Sequence, residues 1–266
     1  MLGKCKLCLL DGVDLLDSHY LSAGIYRRLR DESQKNPSPW LLTKTVTVQK
    51  TRPLKAPLLC HDCELRLSKG GENWVLGHCL QKDATFPLAT TLSSRNPNLS
   101  SPENPTRIYF SADNPEINLS ALSYFAASIF WRGSVYPWND DGSVPVELGP
   151  FQEHFRRHLM GLEPFPNNAC LWLVVREGKT NRLTYAPVGA RMNTVHTYKF
   201  PMPGLAFTLI VGKNVPAGHR EMCLVHGPGN PIFVTTILEE SLKGDALRML
   251  QRSSAFAAQR LLKQKG

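Results

Sequence analysis

Four of the seven cysteines in this chain fall into two pairs, Cys5-Lys-Leu-Cys8 and Cys60-His-Asp-Cys63. Each pair presents two sulfurs from one tight turn. Four thiolates at about 2.3 Å complete the tetrahedral shell of Zn²⁺ and leave no coordination position open, so the ion would hold the fold together and take no part in chemistry. The 51 residues between Cys8 and Cys60 exceed the gap of a simple zinc ribbon, but loop-closure entropy grows only logarithmically with length. The competing readings are coincidence and a redox dithiol. Cys79, Cys170 and Cys223 stand alone and read as small buried apolar side chains.

The elements that must position these sulfurs can be traced outward from them. Leu58-Leu59 leads into Cys60, and His61 to Ser68 has a helix-competent composition with Leu65 and Leu67 near the metal. Thr45 to Gln49 alternates and a turn follows around Thr51-Arg-Pro53, which predicts a hairpin ahead of that helix. Ser22 is placed to cap a helix running to Arg30 and burying Ile25 and Leu29. Knuckle, hairpin and a helix whose first turn supplies the second pair resemble a treble clef.

The same region resembles a widespread group of bacterial HNH-like treble-clef proteins, mostly of unassigned function. The resemblance rests on Cys-x-x-Cys, Ser18-His19, Tyr26-Arg-Arg-Leu-Arg-Asp31, Leu58-Leu-Cys-His-Asp-Cys-Glu64 and Leu67-Ser-Lys-Gly-Gly-Glu72, and covers about the first 85 residues. It implies a zinc fold that meets nucleic acid, and a setting in bacterial defence against foreign DNA, including phage. Active HNH enzymes with two such pairs carry Asp-His after the first pair, Asn before the second and His after its last Cys. There the Asp and the final His hold a divalent cation at the scissile phosphate while the first His activates water. Here His19 stands at the general-base position, Ser18 precedes it in place of Asp, Lys55 or Ala56 occupies the Asn region, and Glu64 replaces the final His. Glu64, with Asp17 nearby, remains a possible hard ligand for Mg²⁺ or Mn²⁺ if the site is a nuclease. Otherwise His19 hydrogen-bonds within the zinc core and Glu64 complements the helix dipole. The degenerate motif favours binding over cutting.

Binding needs only cations in the right places. Arg27, Arg28, Arg30, Lys44, Lys50, Arg52 and Lys55 lie on or beside the predicted helix and hairpin, and phosphate contacts through them would make affinity fall with salt. Formal charge is +9 over 266 residues, distributed as +4 in residues 1–83, neutral in 84–240 and +5 in 241–266. The expectation is a zinc domain over 1–83, a Pro-rich connector over 84–115, an α+β domain over 116–240 and a basic helix over 241–266.

In the connector, Pro87, Pro97, Pro102, Pro105 and Pro115 punctuate Asn, Ser and Thr. Beyond Asn114-Pro115, Leu119, Leu122, Phe125, Ala126, Ile129 and Phe130 predict a helix apolar on almost every side, hence buried. A second helix is predicted over Pro150 to Leu162, with His154 and His158 one turn apart but no third metal ligand on that face. Six strands are expected at 170–176, 182–186, 195–200, 205–211, 221–225 and 232–237. Short connections favour an antiparallel sheet packed against the helices. Ser241 to Lys265 predicts a helix with Leu242, Ala246, Leu250, Ala257 and Leu261 along one stripe and Arg248, Arg252 and Lys263 near the other, a candidate for nucleic-acid or protein contact.

No run of 18 apolar residues is present, and Met1 to Asp11 lacks the apolar stretch of a signal peptide, so a cytoplasmic protein without a membrane partner is expected. The functional expectation is a zinc-stabilised protein that binds DNA or RNA, or a nucleoprotein, through a degenerate HNH-like site. Its rivals are an HNH-type nuclease using His19 and a protein-interaction module in a larger assembly.

Overall fold

The structure, a computed structural model, describes residues 1–30, 40–42, 47–49, 54–139, 141–178, 181–192 and 194–263. Within 40–49 and 252–263, and at 190 and 192, it describes the backbone alone. The fold is α+β. The chain opens with β1 (Leu2–Gly3) and β2 (Val13–His19), then α1 (Ala23–Leu29), which Ser22 caps by accepting the Gly24 N–H at 3.1 Å. β3 (Trp40–Leu42) and β4 (Thr47–Gln49) pair with each other, and β5 (Lys55–Cys60) returns to β2. The expected hairpin therefore divides: β4 pairs backward to β3, while the strand entering Cys60 joins the β1-β2-β5 sheet. The reason lies in β2 and β5, whose inward residues Ser18, Ala56, Leu58 and Leu59 are all buried together.

After Cys60 the chain is helical to His78. α2 (His61–Leu67) and α3 (Asn73–His78) are joined through a widened π turn at Ser68–Glu72. Gly70 and Gly71 sit in that turn, and a Cβ at Gly71 would lie 2.5 Å from the Ala121 carbonyl and 2.7 Å from the Phe125 nitrogen. Only glycine lets the next long helix approach so closely.

The stretch read as a connector is built into the sheet. It supplies α4 (Pro87–Ser93), β6 (Leu99–Ser101) and β7 (Asn104–Phe110). α5 (Leu119–Val135) follows, capped by Asn118, whose side chain accepts the Ala121 N–H at 2.9 Å. As its apolar circumference predicted, α5 is buried from Ala121 to Gly133 except for Tyr124. α6 (Gln152–Leu159) buries Phe155 and Leu159. Then come β8 (Ala169–Arg176), β9 (Val188–Met192), β10 (Val195–Met202), β11 (Leu205–Gly212), α7 (Ala217–Glu221), β12 (Pro231–Thr235) and α8 (Leu238–Lys263).

Seven strands form one sheet in the order β6-β7-β12-β8-β11-β10-β9. It is mixed where an antiparallel sheet was expected, because β12 runs parallel to β8. Two of the expected strands are absent. Residues 182–186 form no strand, and 221–225 turn after α7, with the Leu224 N–H donated to the Leu171 carbonyl at 2.7 Å. One hydrophobic cluster runs without a break from Leu7, Leu21 and Leu58 through α5 to Leu173, Phe200 and Phe207, so the N-terminal region and the large sheet share a core. α8 packs Leu242, Ala246 and Met249 on Val174, Tyr185 and Ala206. Leu250, expected on that stripe, is 39% exposed, and Met249 takes its place. Ala257 and Leu261 lie outside the residues whose side chains are described.

Candidate metal centre and the polar cluster beside it

The knuckle before β2 and the first turn of α2 bring Cys5, Cys8, Cys60 and Cys63 together, with all four sulfurs within 4.8 Å of one another. The Cys8 and Cys60 sulfurs are 3.8 Å apart. That is too far for a disulfide, and it matches the edge of about 3.8 Å of a tetrahedron of sulfurs around Zn²⁺. The backbone supports the sulfurs: the Cys60 N–H points at Cys5 Sγ at 3.4 Å, and the Cys5 N–H and Cys5 carbonyl close the knuckle with Leu10 and Leu9. Cys5 and Cys63 are buried, Cys8 and Cys60 half-buried. Crowding sets their protonation. The Cys63 thiol hydrogen-bonds to Cys5 and holds it down to about 4, while the same contact and burial push Cys63 far up. A cation that all four sulfurs can share removes that conflict. The donor set fits a structural Zn²⁺, with sulfur on every corner. Among the described residues no other group of three or more Cys, His, Asp and Glu brings its ligand atoms together.

Next to the sulfurs, on the side facing α5, lies a polar cluster that the sequence disclosed only in part. His19 ends β2 and stands opposite Lys55 of β5 in the ladder. Glu64 follows the last cysteine on α2, and Glu72 leaves the π turn, accepting a hydrogen bond from Ser22 Oγ at 2.6 Å. Into this group α5 inserts Arg132, whose side chain is 2% exposed and whose guanidinium stands 4.0 Å from Glu64 Oε2 and 4.0 Å from Glu72 Oε2. These are ion pairs at a separation beyond direct hydrogen bonding. Arg132 Nε and Glu64 Oε1 are buried with no hydrogen-bond partner, as is the Tyr20 hydroxyl nearby, whose ring stacks on Trp138 at 5.0 Å. The cluster is balanced in charge but loose in geometry.

Burial lowers the His19 pKa, and Lys55 lowers it further; Glu64 and Glu72 oppose the shift less strongly. The imidazole is therefore neutral at pH 7. Asp17 lies two residues earlier on the same strand and is exposed.

The predicted phosphate-facing cations divide. Arg27, Arg30 and Lys55 are exposed. Arg28 is turned inward: its guanidinium donates to Gln81 Oε1 at 3.1 Å, to the Gly24 carbonyl at 2.9 Å and to the Leu76 carbonyl. It braces α1 against α3, a role its sequence position did not show. Lys44, Lys50 and Arg52 lie outside the described residues. Arg248 is exposed on α8 and pairs with Asp245 at 2.5 Å; the side chains of Arg252 and Lys263 lie outside the described set. Arginines absent from the expectation tie the N-terminal region to the rest. Arg156 Nη1 donates to the Leu7 carbonyl inside the first Cys-x-x-Cys at 2.6 Å, and Arg182 donates to the Gln81 and Arg28 carbonyls at 3.0 and 3.3 Å.

His154 and His158 do not share a ligand: His154 bonds the Glu163 carboxylate at 3.1 Å, while the His158 ring turns toward Phe165 and Tyr124. Cys79, Cys170 and Cys223 are buried as expected, but Cys170 and Cys223 prove to be neighbours. Cys170 Sγ donates to the His219 carbonyl at 2.7 Å, and Cys223 Sγ accepts the Leu171 N–H at 3.4 Å. Among the described residues no helix is long and apolar enough to cross a membrane.

Compared with protein-family models, with curated proteins and with solved structures, the chain shows no match.

Proposed function

We propose that the protein is a zinc-stabilised, treble-clef nucleic-acid-binding protein whose HNH-like centre is closed to catalysis by Arg132. The observation that carries this reading is the guanidinium held 4.0 Å from both Glu64 and Glu72 at 2% exposure. By the resemblance, Glu64 occupies the position of a cation ligand. A fixed organic cation there neutralises the carboxylates that a divalent ion would need, and α5 cannot withdraw it without opening the core. Lys55 is exposed opposite His19 at the end of the β2–β5 ladder, and Arg27 is exposed in the last turn of α1, the helix that follows β2, which supports phosphate contact without cleavage.

Salt titration of binding to DNA and RNA oligonucleotides tests the reading. Affinity should fall linearly in log–log form with salt, with a slope reduced by about 1 for each of Arg27→Ala and Lys55→Ala that removes a phosphate contact. A flat response would remove nucleic acid as the partner and favour a protein one.

A second reading, a metal-dependent nuclease, has one observation in its favour: the lowered pKa of His19 leaves its imidazole in the form that accepts a proton. Cleavage with Mg²⁺ or Mn²⁺ that disappears in His19→Ala would replace the first reading with this one.

A further inference from the structure

We propose that the open edge of the large sheet, strand β9, is a docking site for an extended acidic peptide that adds to the sheet as an eighth strand. Among the described residues β9 stands last in the strand order, paired to β10 on one side only. A groove of about 600 Å³ runs along it, within the range of specific binding sites.

The register shows that this groove wraps around the edge. In the β9–β10 ladder Arg191 faces His196 and Gly189 faces Tyr198, while Val188 faces Lys199. Side chains alternate across a strand, so Arg191 and His196 belong to one face and Lys199 to the other. All of these residues line the one groove, together with Arg248 of α8. Cations therefore approach the edge from both faces.

Each wall is fixed in place. On the first face the Tyr198 ring crosses Gly189, where any Cβ would collide with it, and its hydroxyl accepts the Glu147 N–H at 2.9 Å and donates to the Glu147 carbonyl at 3.0 Å. That pins the 144–147 loop as a wall. On the second face Asp245 divides its two oxygens, Oδ2 to Lys199 at 3.1 Å and Oδ1 to Arg248 at 2.5 Å, while Lys199 also donates to Ser241 Oγ at 2.8 Å. One half-buried carboxylate thus holds two cations at the groove, and an ammonium and a guanidinium together carry more donors than it can accept. Glu147 contributes an exposed carboxylate, yet with Arg191 the lining still carries three permanent positive charges against two negative ones.

An extended peptide matches this arrangement better than a nucleic-acid strand. The edge offers a row of backbone donors and acceptors, which pair with another peptide backbone. The cation clusters stand opposite positions three residues apart along β9, from Arg191 to Val188, and on opposite faces. Residues i and i+3 of an added strand project to opposite faces about 10 Å apart. The occupant is then a five-residue segment with two acidic residues in a Glu-x-x-Glu spacing, and its apolar positions would lie against Pro145, Val188 and Met249.

The test uses the full chain and fluorescent hexapeptides of sequence Thr-Glu-Val-Thr-Glu-Val, read by anisotropy. Saturable binding is expected, weakened about tenfold or more by Arg191→Glu or by Arg248→Glu, both exposed and remote from the shared core. The same peptide N-methylated at alternate amides should lose binding to a similar degree, because strand addition needs its N–H groups. Amide exchange at residues 188–192 should slow on binding. Binding that ignores N-methylation would overturn the proposal, since only charge would then be read. So would a single-stranded oligonucleotide that binds with the same sensitivity to the two variants while the peptide does not. Slowed exchange at 188–192 caused by concentration alone would assign the edge to a second copy of the chain and also overturn it.

Discussion

Residues 1–80 and the seven-stranded sheet meet in one core, yet they are held by different means. The large sheet buries unbroken rows such as Leu171, Leu173 and Val175 on β8 and Leu205, Phe207, Leu209 and Val211 on β11. The N-terminal region has a sheet of three short strands and short helices, and it gathers four sulfurs and a half-buried ion-pair cluster around the buried Arg132. Apolar burial at about 25 cal/mol per Å² stabilises the first arrangement without further help. The second must satisfy thiolates and carboxylates inside protein, which is favourable only when a cation answers each set: Arg132 for Glu64 and Glu72, and for the sulfurs the metal ion that their grouping could hold. The difference teaches that stability in this molecule is chemical at one end and geometric at the other.

The largest expected effect separates the two ends directly. Structural Zn²⁺ contributes about 10–16 kcal/mol of apparent binding free energy in small zinc folds, more than most domains have in reserve. Chelation, or Cys60→Ser, should therefore expose amides of β2, β5 and α2 to hydrogen exchange while β8 and β11 stay protected. Metal analysis should give one zinc per chain. Equal loss of protection in both regions would mean that the shared core makes them one cooperative unit, and absence of metal would remove the basis of the comparison.

Next in size is the internal cation. Arg132→Ala leaves the half-buried Glu64 and Glu72 carboxylates without an opposite charge, and because both keep contact with solvent the cost should fall below that of breaking a fully buried pair, about 3–5 kcal/mol. Adding Glu64→Gln and Glu72→Gln to that variant should recover part of the loss, because the charges needing an answer are gone. Denaturant midpoints at constant m-value would measure both steps. If the triple variant is no more stable than Arg132→Ala alone, the guanidinium acts by packing and not by charge.

The two ends also differ in how far they could be read from sequence. The four cysteines were legible because metal ligands must be particular residue types and their tight spacing survives in one dimension. The burial of α5 was legible for a similar reason, since Leu, Phe and Ile on every side leave no polar face to turn outward. Arg132 was not, because its meaning depends on Glu64 and Glu72, two or three turns of a different helical run brought across by the glycines at 70 and 71. Arg28 looked like a surface cation and became a brace for the same kind of reason: its acceptors are main-chain carbonyls that any sequence would offer. In the sheet, β8 and β11 announced themselves by continuous β-branched and aromatic runs. β9, Val188-Gly-Ala-Arg-Met192, has no such pattern, and the run 221–225 has the composition of a strand although its Cys223 and Leu224 are buried in a turn against Leu171.

A second pair of neighbouring sulfurs sharpens the contrast between the four-cysteine cluster and packed cysteines. Cys170 and Cys223 are neighbours as the four N-terminal sulfurs are, and Cys170 with three backbone groups holds the Cys223 thiol down to about 5, against burial that pushes it up. Among the described residues no third ligand stands with them. Cys223→Ala should cost about 1 kcal/mol, the size of an ordinary small core truncation, and leave the zinc content unchanged. A fall in zinc content in this variant would show that the two ends are coupled through the core.

The smallest effect concerns pH and arises where the two ends meet. His158, on α6 between the two regions, has its pKa lowered chiefly by burial, only partly offset by the Glu163 carbonyl, and its Nε2 has no partner. Between the lowered folded value and the unfolded value of about 6.5 the unfolded chain binds more protons. Stability should therefore be complete above about pH 6.5 and decline as pH falls through that window, levelling below the folded pKa. His158→Phe places an uncharged ring beside Phe165 and Tyr124 and should flatten this part of the profile. His19 has a pKa lowered in the same sense and keeps its share of the decline, so the slope should be reduced and not abolished. An unchanged slope in His158→Phe would locate the whole acid response in the polar cluster around Arg132.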